Sequence, residues 1–285
     1  MPELPEVETI VRDLKSIEGC KVVFNKYYDD KVFKTPFYSL AGRIIERIER
    51  FGKYIIIKFD MSAMIIHLGM TGQLFLDSGE ALIPTHCKFL IQLNNREQLR
   101  YIDIRKFGKI WHLKSYEECL SYVQSKLGPE IWDINAESFL LRTKQSKYKN
   151  RILKDLLLDQ KYIAGIGNIY ASEICWEAYL HPKNYIKDLT DKQIENLYYC
   201  IKRVLEKAIE NNGTTFSDYR RGNGQKGDNQ NFLKVYNKHG EECWRCKHDT
   251  YNTNHNLTFL IKKEKIKDRM TYYCENCQRL YREEE

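Results

Sequence analysis

With 285 residues, 42% of them hydrophobic and 30% charged, the chain has room for about two domains of roughly 100–200 residues and enough apolar content to exclude wholesale disorder. No apolar run approaches the roughly 18–20 residues that span a bilayer, and the opening MPELPEVET lacks the basic start and apolar middle of a signal peptide, so a soluble, intracellular chain without a membrane partner is expected. A net charge of +7 (46 Lys+Arg against 39 Asp+Glu) is compatible with a polyanionic partner but does not require one, and nine cysteines, an odd count, argue against a disulfide framework.

In chain order, Val7, Ile10, Val11, Leu14 and Ile17 recur at helical spacing, with Pro and Glu in the first turn and Gly19 at the end. From Lys21 to about Leu113 the pattern becomes short β-rich runs: Val22–Phe24, Arg43–Ile48, Tyr54–Phe59, Met64–Leu68, Phe89–Leu93 and Lys109–Leu113. Gly, Pro and Asn-Asn signals separate them, which predicts an antiparallel sandwich or barrel. Leu127-Gly128-Pro129-Glu130 marks a boundary, after which Phe139–Leu141, Ile152–Leu158, Asn168–Tyr179 and Asp191–Asn211 read as helices. Residues 213–231 are nearly free of aliphatics and predict a mobile loop. The fold class is α+β, in three parts: 1–130, 131–234 and a Cys-rich 235–285 ending in an acidic tail, Glu283–Glu285.

Cys243-x-x-Cys246 and Cys274-x-x-Cys277 form two knuckles, each presenting two thiolates on a tight turn. Four such sulfurs complete a tetrahedral structural Zn²⁺ site with no position left open for catalysis; two redox dithiols are the other reading. Leu257–Ile261 and Met270–Tyr273 read as the arms of a hairpin, with Lys262, Lys263, Lys265, Lys267 and Arg269 between the knuckles. Such a hairpin lies along phosphates or is a solvated tip.

Pro2 permits removal of the initiator Met, which leaves a secondary amine. An α-amino pKa near 8 makes that amine partly unprotonated at neutral pH, able to attack an electrophilic carbon and form an iminium. Glu3 beside it could shuttle a proton. The plainer reading is an ordinary helix start.

PELPEVET, His67–Gly72 (HLGMTG), Asp103–Gly108 (DIRKFG), Gly165–Glu173 (GIGNIYASE) and the terminal CxxC…CxxCQ, in this order across essentially the whole chain, resemble the formamidopyrimidine-DNA glycosylase family. The resemblance implies an N-terminal β-sandwich, a helix–two-turn–helix domain and a zinc-finger hairpin. It also implies base-excision repair of double-stranded DNA with oxidised bases or abasic sites: an oxidised purine is flipped out, its glycosidic bond cleaved, and the strand nicked by β,δ-elimination. Pro2 takes the nucleophile's place, Glu3 the acid/base, Glu6 a supporting role, and Lys53 that of the lysine assigned to β-elimination. Met70, Arg105 and Phe107 match the residues that fill the gap left by the flipped nucleotide; Lys106 stands where the family often has a second arginine.

Lys88, in Thr85-His86-Cys87-Lys88, replaces the second His of a family His-x-His pair at a phosphate contact. Lys149 and Lys154 lie in a stretch, 142–154, with six basic residues and no acidic one, where the family meets the DNA backbone. Asn168 corresponds to a phosphate-holding residue at a helix start, and Arg269 to the zinc-finger arginine that grips phosphate and is linked to δ-elimination. The segment between the knuckles carries extra residues around Asn252–Asn256. Loop 213–231 and Phe107 favour the oxidised-purine branch over the endonuclease VIII branch for oxidised pyrimidines. A non-catalytic zinc-finger protein that binds damaged DNA is the reading from another class. A monomer is expected, cytoplasmic and nucleoid-associated in a bacterium, with a nuclear or viral compartment left open.

Overall fold

Residues 1–80, 82–217, 219–248 and 258–281 are described by the structure, a computed structural model. The inter-knuckle residues Asn252–Asn256, Leu257 and the tail Glu283–Glu285 lie outside them. The chain divides into two compact units, Met1–Leu127 with Ala208–Asn231, and Gly128–Lys207 with Phe232–Glu285.

In the first unit the run Ile55–Ile57 shows how the sequence builds the fold. Successive strand residues point to opposite faces, so an unbroken apolar run needs cover on both sides. The strands are β1 (Val22–Tyr27), β2 (Ile45–Phe51), β3 (Tyr54–Phe59), β4 (Ser62–His67), β5 (Gly72–Ser78), β6 (Cys87–Leu93), β7 (Glu97–Asp103) and β8 (Lys109–Leu113). They form two antiparallel sheets, ordered β1-β6-β7-β5 and β2-β3-β4-β8. Ile55, Ile57, Phe59, Met64 and Ile66 from one sheet meet Phe89, Ile91, Leu93 and Leu99 from the other. Helix α1 (Leu4–Leu14) closes this core with Val7, Ile10 and Leu14. Ile56, Ala63 and Ile65 face the other way and are covered by α2 (Tyr116–Lys126) through Cys119 and Val123. The result is the sandwich, not the barrel.

In the first unit β5, β7 and α2 add to the elements expected from the sequence. In β7 the fully buried Arg100 donates to Gln98 Oε1 (2.7 and 3.0 Å) and to Asp77 Oδ2 (2.8 Å). A strand whose buried positions include Arg and Gln does not show apolar alternation. α2 buries only Cys119 and Val123, too thin a stripe for a helical period to stand out.

In 213–217 and 219–231, the segment expected to be a mobile loop, polar side chains bind the segment back on itself and Tyr219 and Gly222 dock on the sandwich. Asn229 Nδ2 donates to Thr214 Oγ1 (2.8 Å), Gly227 N to Thr215 Oγ1 (2.9 Å) and Thr215 N to Gln230 Oε1 (2.8 Å). Tyr219 joins the sandwich core and Leu76 N donates to Gly222 O at 2.6 Å. Side-chain amides and hydroxyls do here what aliphatic burial does elsewhere, so a composition-based reading finds no anchor.

The second unit contains α3 (Ala136–Thr143), α4 (Ser146–Lys149), α5 (Leu153–Leu158), α6 (Asn168–Glu177), the part of α7 (Asp191–Glu210) up to Lys207, and α8 (Trp244–His248). Leu153, Leu156 and Leu157 on α5 and Tyr170, Ala171 and Ile174 on α6 are buried, and α6 also packs on β10. The hairpin is β9 (Lys262–Ile266) and β10 (Arg269–Tyr273), with Arg269 opposite Ile266 across a Lys267-Asp268 turn. Its first arm therefore begins at Lys262, beyond the expected 257–261. Lys262, Lys263 and Lys265 lie on β9, where only Ile266 is buried, Lys267 in the turn and Arg269 on β10.

Candidate catalytic and nucleic-acid-binding sites

The N-terminus of the first unit is held by a reciprocal capping box. Glu3 is the N-cap of α1; its carboxylate accepts the Glu6 N–H while Glu6 Oε2 accepts Glu3 N at 2.8 Å. The other Glu6 oxygen accepts Thr214 N at 2.7 Å, and Tyr219 Oη donates to Glu6 O at 3.3 Å. Glu6 is 1% exposed and Glu3 3%. Pro2, also buried, directly precedes this cap. Thr214 and Tyr219 were not singled out from the sequence, because nothing local links them to Glu6.

Lys53 stands in the two-residue turn between β2 and β3, where Phe51 pairs with Tyr54. Arg50 Nε meets Glu8 Oε2 of α1 at 2.9 Å and Arg50 Nη1 donates to Gly52 O at 3.3 Å, tying this turn to the helix. Lys53 is only 6% exposed. Opposite Tyr54 in register lies His67, whose pKa is pushed down to about 4, first by burial and then by the charges of Lys53 and Lys109. A histidine with its folded pKa below the unfolded value of about 6.5 contributes stability that is complete above that pH and lost as the pH falls through the folded value. The His67 Hε1 resonance is therefore expected to stay flat between about pH 7.5 and 5.5; a shift centred near 6.5 would contradict this burial.

Met70 follows β4 and Arg105 and Phe107 follow β7; Met70 is 47% and Phe107 48% exposed. The Arg105 guanidinium carbon lies 4.6 Å from the Phe107 ring centroid, and its Nη1 is 3.9 Å from Met70 Sδ. The three residues form one exposed cluster of two apolar side chains around a cation. Lys88, by contrast, is buried: its ammonium lies 3.5 Å from Asp29, which Lys106 meets at 2.6 Å. The hydrogen bond from Lys106 holds the Asp29 carboxyl down at about 2. Lys88 thus spends its charge inside the unit, and Lys106 has taken a partner that the sequence did not reveal.

In the second unit Lys149 is exposed on α4, whereas Lys154 is buried and donates to Ser172 Oγ at 2.7 Å and Asn168 O at 3.3 Å. Gln160 braces the preceding loop, accepting Gly165 N (3.0 Å) and donating to Ile166 O (2.8 Å). The loop delivers Asn168 to the first position of α6, whose Nδ2 donates to Met270 O at 2.9 Å, beside the exposed Arg269. The hairpin turn is tied down by Lys267 to Asp155 (2.7 Å), which also pairs with Arg151 (2.9 Å).

Glu173 lies within the GIGNIYASE motif and is buried on α6. It accepts N–H from Lys234 (2.8 Å), Val235 (2.9 Å) and Tyr236 (2.7 Å), which lead into the first knuckle. An acidic residue amid an apolar helix was the available signal. Glu173→Gln replaces an acceptor by an amide donor facing three N–H groups and is expected to cost about 2–3 kcal/mol of stability, read as a lowered denaturant midpoint.

The four sulfurs of Cys243, Cys246, Cys274 and Cys277 lie within 4.8 Å of one another, with Cys243–Cys277 at 3.8 Å and Cys246–Cys274 at 3.6 Å. Metal–sulfur bonds of about 2.3 Å in a tetrahedron give edges near 3.8 Å, while a disulfide needs about 2.05 Å. The cysteines are thus positioned to hold a metal ion. Arg245, between the Trp176 and Tyr179 rings (3.8 and 3.6 Å), donates to Cys277 Sγ at 3.5 Å, and Asn276 Nδ2 donates to Cys246 Sγ at 3.3 Å. Both help to balance thiolate charge.

A sandwich with a capped, buried N-terminal Pro-Glu and a helical unit with a four-cysteine hairpin define a two-part class of protein. Its parts match the formamidopyrimidine-DNA glycosylase N-terminal domain over residues 1–110 and the formamidopyrimidine-DNA glycosylase H2TH domain over 127–220. The chain belongs to the formamidopyrimidine-DNA glycosylase family. It is 36% identical over 290 residues to the formamidopyrimidine-DNA glycosylase of Pelotomaculum thermopropionicum, covering 98% of this chain and 100% of that one. The Chloroflexus aurantiacus formamidopyrimidine-DNA glycosylase is 37% identical over 287 residues, 98% of each chain.

A Lactococcus lactis Fpg mutant in complex with Fapy-dG DNA superposes with a TM-score of 0.86 at 33% identity, covering 97% of this chain and 99% of that one. The same organism's wild-type protein on DNA with an oxidised pyrimidine gives 0.84 at 33% identity, with the same coverage.

Proposed function

We propose that the protein is a bifunctional DNA glycosylase/AP lyase of base-excision repair, acting as a monomer on oxidised purines in double-stranded DNA. The carrying observation is the capped, buried N-terminus: Pro2 ahead of Glu3, with Glu6 satisfied on both oxygens, in a chain of this family. Once Met1 is removed, the Pro2 amine adds to the sugar C1′ as the glycosidic bond breaks, and the base leaves with a proton. Glu3 protonates the ring oxygen, the sugar opens, and an iminium joins Pro2 to C1′. Loss of a C2′ proton then expels the 3′ phosphate, a step we assign to Lys53, and a second elimination, linked to Arg269, expels the 5′ phosphate.

Met70, Arg105 and Phe107 would fill the gap left by the extruded nucleotide, where an apolar wedge and a guanidinium offset the few kcal/mol of lost stacking. Lys149, Asn168 and Arg269 would meet phosphates, while Lys154 acts behind Asn168. The four cysteines would hold Zn²⁺, which fits an all-thiolate, closed, tetrahedral set and supplies structure rather than chemistry. The L. lactis complex with an oxidised pyrimidine keeps the endonuclease VIII-like preference as a second reading.

Borohydride trapping on duplexes carrying 8-oxoguanine, an oxidised pyrimidine or an abasic site tests the proposal. The expected result is an adduct mapped by mass spectrometry to Pro2, formed faster with 8-oxoguanine. Faster trapping on the pyrimidine would move the preference. No adduct on any of the three, from metal-loaded protein lacking Met1, would leave damage binding alone.

A further inference from the structure

We propose that Thr71 and Asp103 are the positioning residues of the wedge: a buried hydroxyl–carboxylate clamp that joins the loop carrying Met70 to the loop carrying Arg105 and Phe107 and makes the two enter DNA as one body. The inference rests on the wedge role given above to those three residues. Asp103 is fully buried at the end of β7. Its Oδ1 accepts Thr71 Oγ1 at 2.5 Å, and its Oδ2 accepts Gly108 N at 2.8 Å and Tyr101 Oη at 3.3 Å. Thr71 Oγ1 in turn accepts Arg105 N at 3.2 Å. One carboxylate therefore grips the residue after Met70 and the residue after Phe107, and the threonine passes that grip to the backbone of Arg105.

Two motif glycines serve the same clamp. A Cβ at Gly108 would lie 1.7 Å from Tyr101 Oη, and one at Gly69 2.6 Å from the Phe107 carbonyl carbon. Neither position has room for a side chain: at Gly69 the two loops touch backbone to backbone, and at Gly108 the fully buried Tyr101 and Asp103 side chains fill the space. In HLGMTG and DIRKFG the glycines, Thr71 and Asp103 thus build the joint, and Met70, Arg105 and Phe107 are what the joint carries.

Inserting a wedge works against base stacking, so a tip that can swing loses its purchase, and misplacement by about 1 Å is worth up to about a hundredfold in rate. The test compares wild type, Thr71→Val, Thr71→Ser and Asp103→Asn on two substrates: a duplex with one 8-oxoguanine, and a single-stranded abasic oligonucleotide that has no stack to open. 2-Aminopurine opposite the lesion reports insertion directly.

Thr71→Val is expected to lose about ten- to a hundredfold in kcat/KM on the duplex and most of the 2-aminopurine signal, with a much smaller loss on the abasic strand. Thr71→Ser restores the hydroxyl and the duplex rate, and Asp103→Asn shows the same duplex-selective loss. Equal losses on both substrates, or none, in folded Thr71→Val and Asp103→Asn protein would overturn the clamp. If wild type itself processes neither substrate, it is the glycosylase reading that fails.

Discussion

Protein that keeps Met1 is expected to bind a lesion-containing duplex normally yet yield no borohydride-trapped adduct, a loss of at least about a thousandfold in the lyase step. With Met1 in place the Pro2 nitrogen belongs to an amide, has no basic lone pair and cannot add to C1′. The α1 cap that holds Glu3 and Glu6 does not involve that nitrogen, so folding and the exposed Met70–Arg105–Phe107 cluster are untouched. Side-by-side binding and trapping with processed and unprocessed protein checks this. Trapping at full rate by Met1-retaining protein would move the nucleophile to a lysine, and Lys53 in its buried turn would be the first to examine.

The opposite pattern is expected when the metal proposed for the four cysteines is withdrawn. Chelation, or Cys274→Ser, should lower affinity for duplex DNA by about a hundredfold while the sandwich still melts cooperatively. Among the described residues, the buried members of the core around the cysteines besides the sulfurs are Trp176, Val235, Ile261 and Tyr272. Without a cation the four sulfurs, within 4.8 Å of one another, take up protons and lose their common partner, and the cluster around them holds the hairpin less firmly than the much larger sandwich core holds its strands. Loss of the hairpin removes Arg269 and the partner of Asn168 Nδ2 together. Circular dichroism and salt-dependent binding before and after Zn²⁺ is restored follow the effect. Unchanged affinity in metal-free protein would mean that the hairpin does not grip phosphate.

Legibility varied with the range of the interaction. The helix at the N-terminus, strand β3 and the two knuckles are local patterns, and each was readable from period or spacing alone. Charged strands were not: β7 hides a buried Arg100 whose partners come from Gln98 and from Asp77 on β5. Lys88 and Lys154 looked like surface cations and are buried, because a carboxylate at Asp29 and a hydroxyl at Ser172 wait for them elsewhere in the chain.

The sequence by itself determined the residue types that do chemistry, their order, and the family resemblance that assigns their roles. Short-range spacing dictates caps, turns and metal knuckles, and those persist in any packing. Only the tertiary structure decided which groups hold them in place: Thr214 on Glu6, Asp103 on Thr71, Glu173 on the turn at 234–236 that leads to the first knuckle. Those partners lie 208, 32 and 62 residues apart, and a hydrogen bond across such a separation leaves no period in the chain, since it exists only after both ends have been packed.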